Sequence, residues 1–315
     1  MKKRSAGKGV IVIGELNIDA VASGLLEAPR MGEEILASEF RLTLGSASAI
    51  FACGVAKLGH DVTFIAKVGS DYFGKFCLSA LRDAGVSTRH ILRNKDLKTG
   101  VTISLSTRND RALVTYPGAI AALGPEDVSR SRLRGHNHLH MTSYFLQTRL
   151  QASFPQIFRE ARELGLTTSF DPNSDPTHSW SNSIREVFAY TDFLFVNKAE
   201  ALELTRTRTV NAALKALGKE VSCAVIKLGP DGAVAVNGGE ITPAAGFTVE
   251  PVDTTGAGDS FAAGFVCSYL RGQPMKECLG AANACGALST LKAGGTEGQP
   301  TRQTLKRFLA AHRPA

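Results

Sequence analysis

The sequence lacks the features that would assign it to a membrane, secreted or nucleic-acid-binding class. Its 315 residues contain no run close to the ~20 apolar residues that a membrane helix needs. The six cysteines are widely separated and form no CxxC pair, which is typical of reduced, buried thiols. The net charge is +7, but lysine and arginine form no run beyond residues 2–4. We therefore expect a cytoplasmic protein that binds neither nucleic acid nor a membrane.

What the chain does contain is an alternation of short β-branched runs and helical patterns. The strand-like runs lie at residues 10–14, 62–69, 167–171, 193–197 and 223–229. Most of them are separated by helical segments, several of which end in glycine. This pattern predicts a mostly parallel sheet covered by helices, in which ligands bind at the carboxyl ends of the strands.

Two segments break the alternation. From residue 101 the chain reads VTISLSTRNDRALVTYPG, two strand-like runs around the turn-rich RNDR, which predicts a β-hairpin. Residues 18–44 are likewise strand-like and irregular. We expect these two pieces, approximately 18–44 and 98–118, to form a discontinuous lid within a single domain that spans residues 8–312.

The stretch DTTGAGDSFAAGF at residues 253–265 carries the strongest functional signal. Gly256, Ala257 and Gly258 precede Asp259 and a small, apolar run that reads as a helix. Glycine at this density indicates a backbone that turns tightly or approaches a ligand closely. Because a helix N-terminus presents unpaired N–H groups and a positive dipole, the loop is a candidate phosphate site. A tight turn with Asp259 as a capping carboxylate is the structural alternative.

In this stretch the chain resembles the signature of the PfkB carbohydrate kinases, the ribokinase-like family. The resemblance continues, in order and spacing, through GELNIDAVA near the start, LGSASAIFACGVAKLG at 44–59, VGSDYFG at 68–74, DPN at 171–173, NKAE at 197–200 and KLGPDGA at 227–233. It implies an α/β, three-layer sandwich with a mostly parallel central sheet and a small β-sheet lid. It also implies an ATP-dependent phosphotransferase that phosphorylates a hydroxyl of a sugar or sugar-like substrate.

The resemblance assigns roles around the glycine loop. The amides of Gly256 to Gly258 would form an anion hole, and Asp259 would orient and deprotonate the attacking hydroxyl. A potassium site would be built partly from Asp253 and the carbonyl of Thr255. The expected cofactors are ATP and Mg²⁺, with K⁺ as a further candidate. Because lids in this family often meet in pairs, we also expect a homodimer through the lid.

The nucleotide and its metal are expected beside two other motifs. Asn197 and Glu200 lie just past a strand, and the resemblance assigns them to the magnesium and phosphate neighbourhood, where oxygen ligands are required. A helix start with an acidic first turn is the alternative. The family's nucleotide-contacting positions correspond to Lys227, Gly229, Gly232 and, on the adenine side, Asn283. A glycine-containing turn between two strands would look the same.

Polar residues after the first strand predict the acceptor site. They are Asn17, Asp19, Gly45 and Ser46. Carboxylates and amides suit the vicinal hydroxyls of a sugar, since an unpaired buried polar group costs roughly 1 to 3 kcal/mol. The chain departs from the family pattern here, because Leu44 stands where many members have a second glycine and Ile50 replaces the substrate-side asparagine. A nucleoside or sugar-phosphate kinase and a catalytically silent sugar-sensing protein therefore stay open as alternatives.

Two further patterns suggest other sites. GSDYFGKF at residues 69–76 has the spacing of a P-loop, but Phe76 stands where a magnesium-binding Ser or Thr is required, so a turn into a helix is expected. HNHLH would align His136, His138 and His140 on one face of a strand. No nearby carboxylate or cysteine completes a metal site, which favours a structural or substrate-facing role.

Overall fold

The computed structural model describes residues 9–107 and 111–312. Residue 8 of the predicted domain and the RND portion of the predicted hairpin turn lie outside the described residues. The strands are β1 (Val10–Ile13), β2 (Asn17–Leu25), β3 (Glu39–Leu44), β4 (Val62–Gly69), β5 (Ser87–Asn94), β6 (Gly100–Thr107), β7 (Arg111–Tyr116), β8 (His138–Thr142), β9 (Thr167–Asp171), β10 (Phe193–Asn197), β11 (Cys223–Lys227), β12 (Ala233–Asn237) and β13 (Glu240–Ala244). The α-helices are α1 (Ala47–Lys57), α2 (Tyr72–Asp83), α3 (Arg130–Leu133), α4 (Phe154–Glu163), α5 (Arg185–Phe188), α6 (Lys198–Thr205), α7 (Val210–Leu217), α8 (Ala257–Leu270), α9 (Met275–Ser289) and α10 (Arg302–Ala311).

A nine-stranded sheet forms the middle layer, in the order β13-β12-β11-β10-β9-β8-β1-β4-β5. The strands from β11 to β5 in this order are parallel, and β12 and β13 add an antiparallel edge. Because helices cover both faces, the inner strands read as continuous apolar runs, such as the fully buried VIVI of β1. The predicted three-layer α/β sandwich is confirmed.

Two apolar clusters hold the layers together. One joins the sheet to α1, α8 and α9 through aromatic side chains such as Phe51, Phe195 and Phe265. The other joins the opposite face to α4, α6 and α7 around Phe154 and Phe170. The rigid sheet between them fixes the strand ends to which the functional side chains are attached.

A second, four-stranded sheet has the order β3-β2-β6-β7 and is drawn from the two segments that broke the α/β pattern. Its register places most of the polar side chains on one face, together with Val21 and Leu113, and most of the apolar side chains on the other. One face, here called the polar face, carries Asp19, Ser23, Arg41, Thr43, Thr102, Ser104 and Ser106. The opposite, apolar face carries Phe40, Leu42, Ile103, Val114 and Tyr116, all exposed.

The three histidines of HNHLH are used by the fold. His136 contacts the Leu133 carbonyl and the Thr63 hydroxyl. His138 and His140 are buried and share the hydroxyl of Ser169. Within residues 9–107 and 111–312, no group of three His, Cys, Asp or Glu side chains is arranged to hold a metal. Each of the three histidines therefore has at least one ring nitrogen in contact with a group of the protein, and their role stays a prediction.

The P-loop-like segment is also structural, since Asp71 caps the start of α2 by accepting a hydrogen bond from the Gly74 amide at 2.8 Å. All six cysteines are buried and free, as the sequence predicts. Among the described helices, none is both long and apolar enough to cross a bilayer.

Candidate active site

The carboxyl ends of the parallel strands bring the predicted site residues to one edge of the sheet. Asn197 ends β10 and lies directly opposite Lys227, which ends β11. Asp171 ends β9, and Glu15 follows β1. The line of polar residues arises because each strand changes from apolar to polar where it leaves the core.

A buried ion pair lies at the centre of this edge. Lys227 Nζ donates to Asp171 Oδ2 at 2.6 Å, and the two side chains are 15% and 2% exposed. Burial alone would lower the pKa of Lys227, but the carboxylates of Asp171 and Glu200 raise it instead. A Cβ on Gly258 would lie 3.1 Å from Lys227 Nζ. The ammonium group therefore lies against the glycine loop, where it adds positive charge to the predicted anion hole.

Asp259 lies in the first turn of α8, within the field of this ion pair. Burial and the nearby Asp171 carboxylate raise its pKa to about 7, although Lys227 acts in the opposite direction. A carboxylate with a pKa near neutrality is a stronger proton acceptor than an ordinary aspartate and is still ionised at physiological pH in a large fraction of molecules.

The glycine loop is held in a shape that needs glycine. Gly256 is the N-cap residue of α8, with φ of 71°, and a Cβ there would meet Ile50 Cγ2 at 2.8 Å. Asp253 accepts hydrogen bonds from the amides of Thr255 and Gly294, each at 2.9 Å. The Ala257 amide donates to the Thr254 carbonyl at 3.2 Å, so this predicted anion-hole donor is already engaged.

The start of α6 is a reciprocal capping box between Asn197 and Glu200. The Glu200 amide donates to Asn197 Oδ1 at 2.9 Å, and the Asn197 amide donates to Glu200 Oε2 at 2.8 Å. Ser174 Oγ donates to the other oxygen, Glu200 Oε1, at 3.1 Å. Burial raises the pKa of Glu200. This geometry is the helix start expected as the alternative to a magnesium site. The Glu200 carboxylate also interacts electrostatically with Lys227 and Asp171.

The residues with predicted nucleotide contacts line one cavity of about 350 Å³. Lys227, Gly229, Gly232 and Asn283 are on its wall together with Ala257 and Gly258. The cavity is mostly apolar, with Phe247 and Phe261 among its other lining residues, as is usual for a small-molecule site with few orienting polar groups. Gly229 and Gly232 bound the turn between antiparallel β11 and β12, so the strand-to-strand turn alternative holds as local structure.

A larger groove of about 720 Å³ lies between the polar face of the small sheet and the loops at 251–255 and 293–294. Its walls include Arg41, Thr43, Ser104 and Asp253. Pro251 and Thr254 line both this groove and the smaller cavity. The two spaces therefore share a wall just before the glycine loop.

The predicted acceptor residues form a cluster at the start of the small sheet. Asn17 Nδ2 donates to Asp19 Oδ1 and to Thr102 Oγ1, both at 3.1 Å. A Cβ on Gly45 would lie 2.2 Å from Asp19 Oδ1, so a residue with a side chain at this position would displace Asp19. Ser46 instead caps α1 by accepting from the Ala49 amide at 3.0 Å and donates to the Glu15 carbonyl at 2.5 Å. Its predicted acceptor contact stays a prediction.

Three site features were missed by sequence reasoning. Asp171, quoted only as part of DPN, is the partner of Lys227. Glu15 is 2% exposed and accepts from the Ser48 amide and from the hydroxyls of Ser48 and Thr142. Arg41 lies on the wall of the larger groove. The signal available for Asp171 was its position at the end of a predicted strand, which is the same as that of Asn197.

A comparison with known families matches residues 8–302 to the model described as "pfkB family carbohydrate kinase". The chain belongs to this family. Among curated relatives, the 2-dehydro-3-deoxygluconokinase of Bacillus subtilis is 31% identical over 95% of this chain and 97% of that protein. The ATP-dependent ribose-1-phosphate kinase of Halopiger xanaduensis is 32% identical over 89% of this chain and 90% of that protein.

Solved structures agree with this assignment. A structure from E. coli described as a ribokinase II in complex with ATP and Mg²⁺ has a TM-score of 0.87 and 26% sequence identity, and it covers 97% of this chain and 100% of that one. The predictions of a ribokinase-like fold and of a carbohydrate kinase are therefore confirmed for this pfkB protein.

Proposed function

We propose that this carbohydrate kinase transfers the γ-phosphoryl group of ATP to a sugar hydroxyl, and that Asp259 accepts the proton of that hydroxyl. The observation that carries the proposal is that the two cavities share Pro251 and Thr254 as lining residues, just before the loop that begins α8, whose first helical turn carries Asp259. The bond between the γ-phosphorus and its bridging oxygen breaks, and a new bond forms to the acceptor oxygen. The hydroxyl proton passes to the Asp259 carboxylate, and ADP leaves.

The glycine loop and Lys227 would bind the phosphates. The amides of Gly256 and Gly258 and the positive end of the α8 dipole provide donors for a phosphate, while the Ala257 amide would have to release the Thr254 carbonyl to join them. Lys227 adds a fixed positive charge, and Asp171 holds that charge in position. Gly229, Gly232 and Asn283 would border the rest of the nucleotide.

The donor set at the start of α6 fits a magnesium site. Glu200 supplies one buried carboxylate and Asn197 an amide oxygen, and Mg²⁺ favours one or two carboxylates together with waters and substrate phosphates. When bound, Mg²⁺ would compensate the charge of the transferred phosphoryl group. Glu200 and Asn197 would hold it, and Ser174 would orient Glu200 through its hydrogen bond.

We propose an acceptor that carries a negative charge and is bound in the larger groove. Asn17, Asp19 and Gly45 do not line this groove, but Asp19 is the strand partner of its lining residue Thr43, so they would contact the acceptor only from beyond that wall. Arg41 and Glu39 both line the groove and form an ion pair at 2.6 Å, so an anionic acceptor would replace Glu39 as the partner of the guanidinium group. The two relatives named above act, by their names, on a sugar acid and on a sugar phosphate. Ile50, in place of an asparagine, packs toward Gly256 and Gly295 and offers no polar contact to a neutral sugar.

A coupled assay of ADP release tests the reaction and the acceptor class together. The panel contains 2-dehydro-3-deoxygluconate, ribose-1-phosphate, ribose, fructose and nucleosides. We expect an anionic acceptor to have the highest kcat/KM. A preference for ribose or fructose would contradict the charged acceptor, and no ADP release with any compound would favour the silent sugar sensor.

Arg41→Gln tests the charge contact directly. Because a hydrogen bond to a charged group contributes about 1.5 to 3 kcal/mol, the KM for the anionic acceptor should rise about tenfold or more, with kcat little changed. Arg30→Gln is the matched control, since Arg30 is also an exposed arginine paired with a glutamate, Glu27 at 2.9 Å, but does not line the groove. An equal KM in both variants would contradict the assignment.

Further proposals concern the setting of the site. The small sheet would act as a lid over the acceptor within a single unit of residues 8–312, since its polar face borders the groove.

Asp253 and the Thr255 carbonyl would hold K⁺, and activity in sodium-only buffer should then fall below that in potassium. We propose an intracellular location because the donor is ATP and the six thiols are free.

A further inference from the structure

The loop that follows β9 is organised around one buried carboxylate. We call residues 172–181 the Asp175 loop. Asp175 is 2% exposed, and it accepts hydrogen bonds from the amide and hydroxyl of Thr177 at 2.8 Å each, from the amide and hydroxyl of Ser179 at 3.0 and 3.1 Å, and from the Trp180 amide at 2.7 Å. Burial alone would raise the pKa of Asp175, but these hydrogen bonds lower it. The carboxylate thus closes the loop on itself.

This closure holds backbone conformations that are costly elsewhere. Six described non-glycine residues have positive φ, and three of them, Asn173, His178 and Trp180, are in the Asp175 loop. A fourth, Ser143, accepts a hydrogen bond from Asn173 Nδ2 at 3.0 Å. Such conformations are unfavourable for residues with a side chain and persist only where surrounding contacts impose them.

The loop is joined to α6 at two points. On one side of Asp175, Ser174 Oγ donates to Glu200 Oε1 at 3.1 Å. On the other side, Trp180 Nε1 donates to Glu203 Oε2 at 2.8 Å. Trp180 is 6% exposed and is the only tryptophan of the sequence. The loop therefore contacts the same helical turn that carries the proposed magnesium carboxylate.

We infer that Asp175 is a positioning residue for phosphoryl transfer, because it holds the strained loop in the shape that keeps Ser174 on Glu200. The inference rests on the proposed function and extends it to a residue that lines neither cavity. Without the Asp175 closure, the loop relaxes and Glu200 loses its hydrogen bond from Ser174, so Oε1 is no longer held in place while Oε2 still accepts from the Asn197 amide. Loss of the closure should therefore weaken magnesium binding and not only lower the stability of the protein.

The test compares Asp175→Asn with Ser174→Ala and with a control. Asparagine has the shape of aspartate but only one accepting oxygen, so it cannot accept the hydrogen bonds made to the second oxygen. Ser174→Ala removes only the contact with Glu200. Asp192→Asn is the matched control, since Asp192 accepts from the amide and hydroxyl of Thr168 at 2.9 and 3.2 Å but lies just before β10, at the opposite end of that strand from Asn197.

The main measurement is the binding of ADP at a fixed ADP concentration while Mg²⁺ is titrated. Binding is detected by calorimetry and by the fluorescence emission of Trp180. We expect the Mg²⁺ concentration for half-maximal binding to rise three- to tenfold in Asp175→Asn and by a similar factor in Ser174→Ala. The double variant should add little to either change, because both act through one contact. Asp192→Asn should leave the Mg²⁺ requirement unchanged even if its melting temperature falls.

The outcomes separate this inference from the proposed function. If the unaltered protein binds no ADP with Mg²⁺, the proposed function is wrong, and the inference fails with it. If the unaltered protein binds and folded Asp175→Asn has the same Mg²⁺ requirement, the inference alone is overturned. A Mg²⁺ shift in Asp192→Asn equal to that in Asp175→Asn would also overturn it, because the effect would then be one of general stability.

Discussion

At the scale of single residues, Asp259 has an environment that differs from that of an ordinary surface aspartate. Its carboxyl lies among Asp171, Glu200 and Lys227, and burial raises its pKa to about 7. A group of this kind accepts a proton in the transition state and contributes little to ground-state binding of ATP. Its loss should therefore reduce turnover more than nucleotide affinity.

Asp259→Asn is expected to keep the fold and to keep ATP affinity within several-fold, while kcat falls by at least ~10²-fold. Steady-state kinetics with the identified acceptor, together with calorimetry of ATP binding, measure the two effects. Asp231→Asn is the control, because it removes the same charge from an exposed position in the turn beside the donor cavity. Near-normal turnover by folded Asp259→Asn would mean that the glycine loop is only a structural turn.

The raised pKa of Asp259 also predicts a pH dependence. Since the base must be ionised to accept the proton, kcat/KM should fall as the pH decreases through about 7 and should level off above it. An ordinary aspartate, with a pKa of 3.8, would leave activity unchanged from pH 8 to pH 5. A profile that is flat over this range in the unaltered enzyme, measured with a pH-independent acceptor, would contradict the assignment.

At the scale of elements, the loop before α8 is held by contacts that a side chain would disturb. Gly256→Ala adds a Cβ at φ of 71°, 2.8 Å from Ile50 Cγ2 and 3.0 Å from the Gly295 carbonyl oxygen. The left-handed conformation alone costs roughly 1 to 2 kcal/mol, and the contacts add to it. The loop should shift, and turnover should fall more than tenfold.

The control for this substitution is Gly272→Ala at the end of the same helix. Gly272 also has a positive φ, of 79°, but a Cβ there would meet nothing within 4 Å. Thermal unfolding of both variants separates the conformational cost, which they share, from the contacts, which only Gly256 makes. Equal losses of stability, with full activity in Gly256→Ala, would remove the loop from the proposed mechanism.

The elements that sequence analysis predicted are those with one clear pattern. The strands at 62–69, 167–171 and 193–197 agree with the structure because they are almost entirely buried and are rich in β-branched and aromatic residues. β5 was missed, because it is an edge strand whose STRHILRN mixes charged and apolar side chains. The local sequence pattern does not indicate whether a strand lies at the edge of a sheet.

The same limit applies to the candidate site. The motif at 253–259 and the family resemblance indicated the glycine loop, because its composition is unusual in itself. Asp171 and Lys227 are 56 residues apart and form one ion pair only because β9 and β11 both flank β10. Asp175 is equally unremarkable in sequence, and its role depends on hydrogen bonds that form only when the loop folds back on it.

At the scale of the whole molecule, one face of the small sheet borders the larger groove, while the other is buried at Ile18 and Leu44 and exposed towards its outer strands. Phe40 is 65% exposed, Val114 58% and Tyr116 54%, and they share the apolar face. An exposed apolar area of this kind is typical of an interaction site. Because the opposite face borders the acceptor groove, we propose that a second copy of the chain covers the apolar face, lid against lid.

Val114→Asp tests this homodimer by adding a charge at the middle of β7 on the apolar face. Burying an unpaired carboxylate in an interface is strongly unfavourable, so light scattering should give twice the 33.4 kDa chain mass for the unaltered protein and 33.4 kDa for the variant. Ile241→Asp is the control, since Ile241 is 46% exposed on β13, at the edge of the other sheet. A single 33.4 kDa species for the unaltered protein at micromolar concentration would contradict the dimer. If dimerisation also orders the lid, Val114→Asp should raise the KM for the acceptor, while the affinity for ATP stays the same.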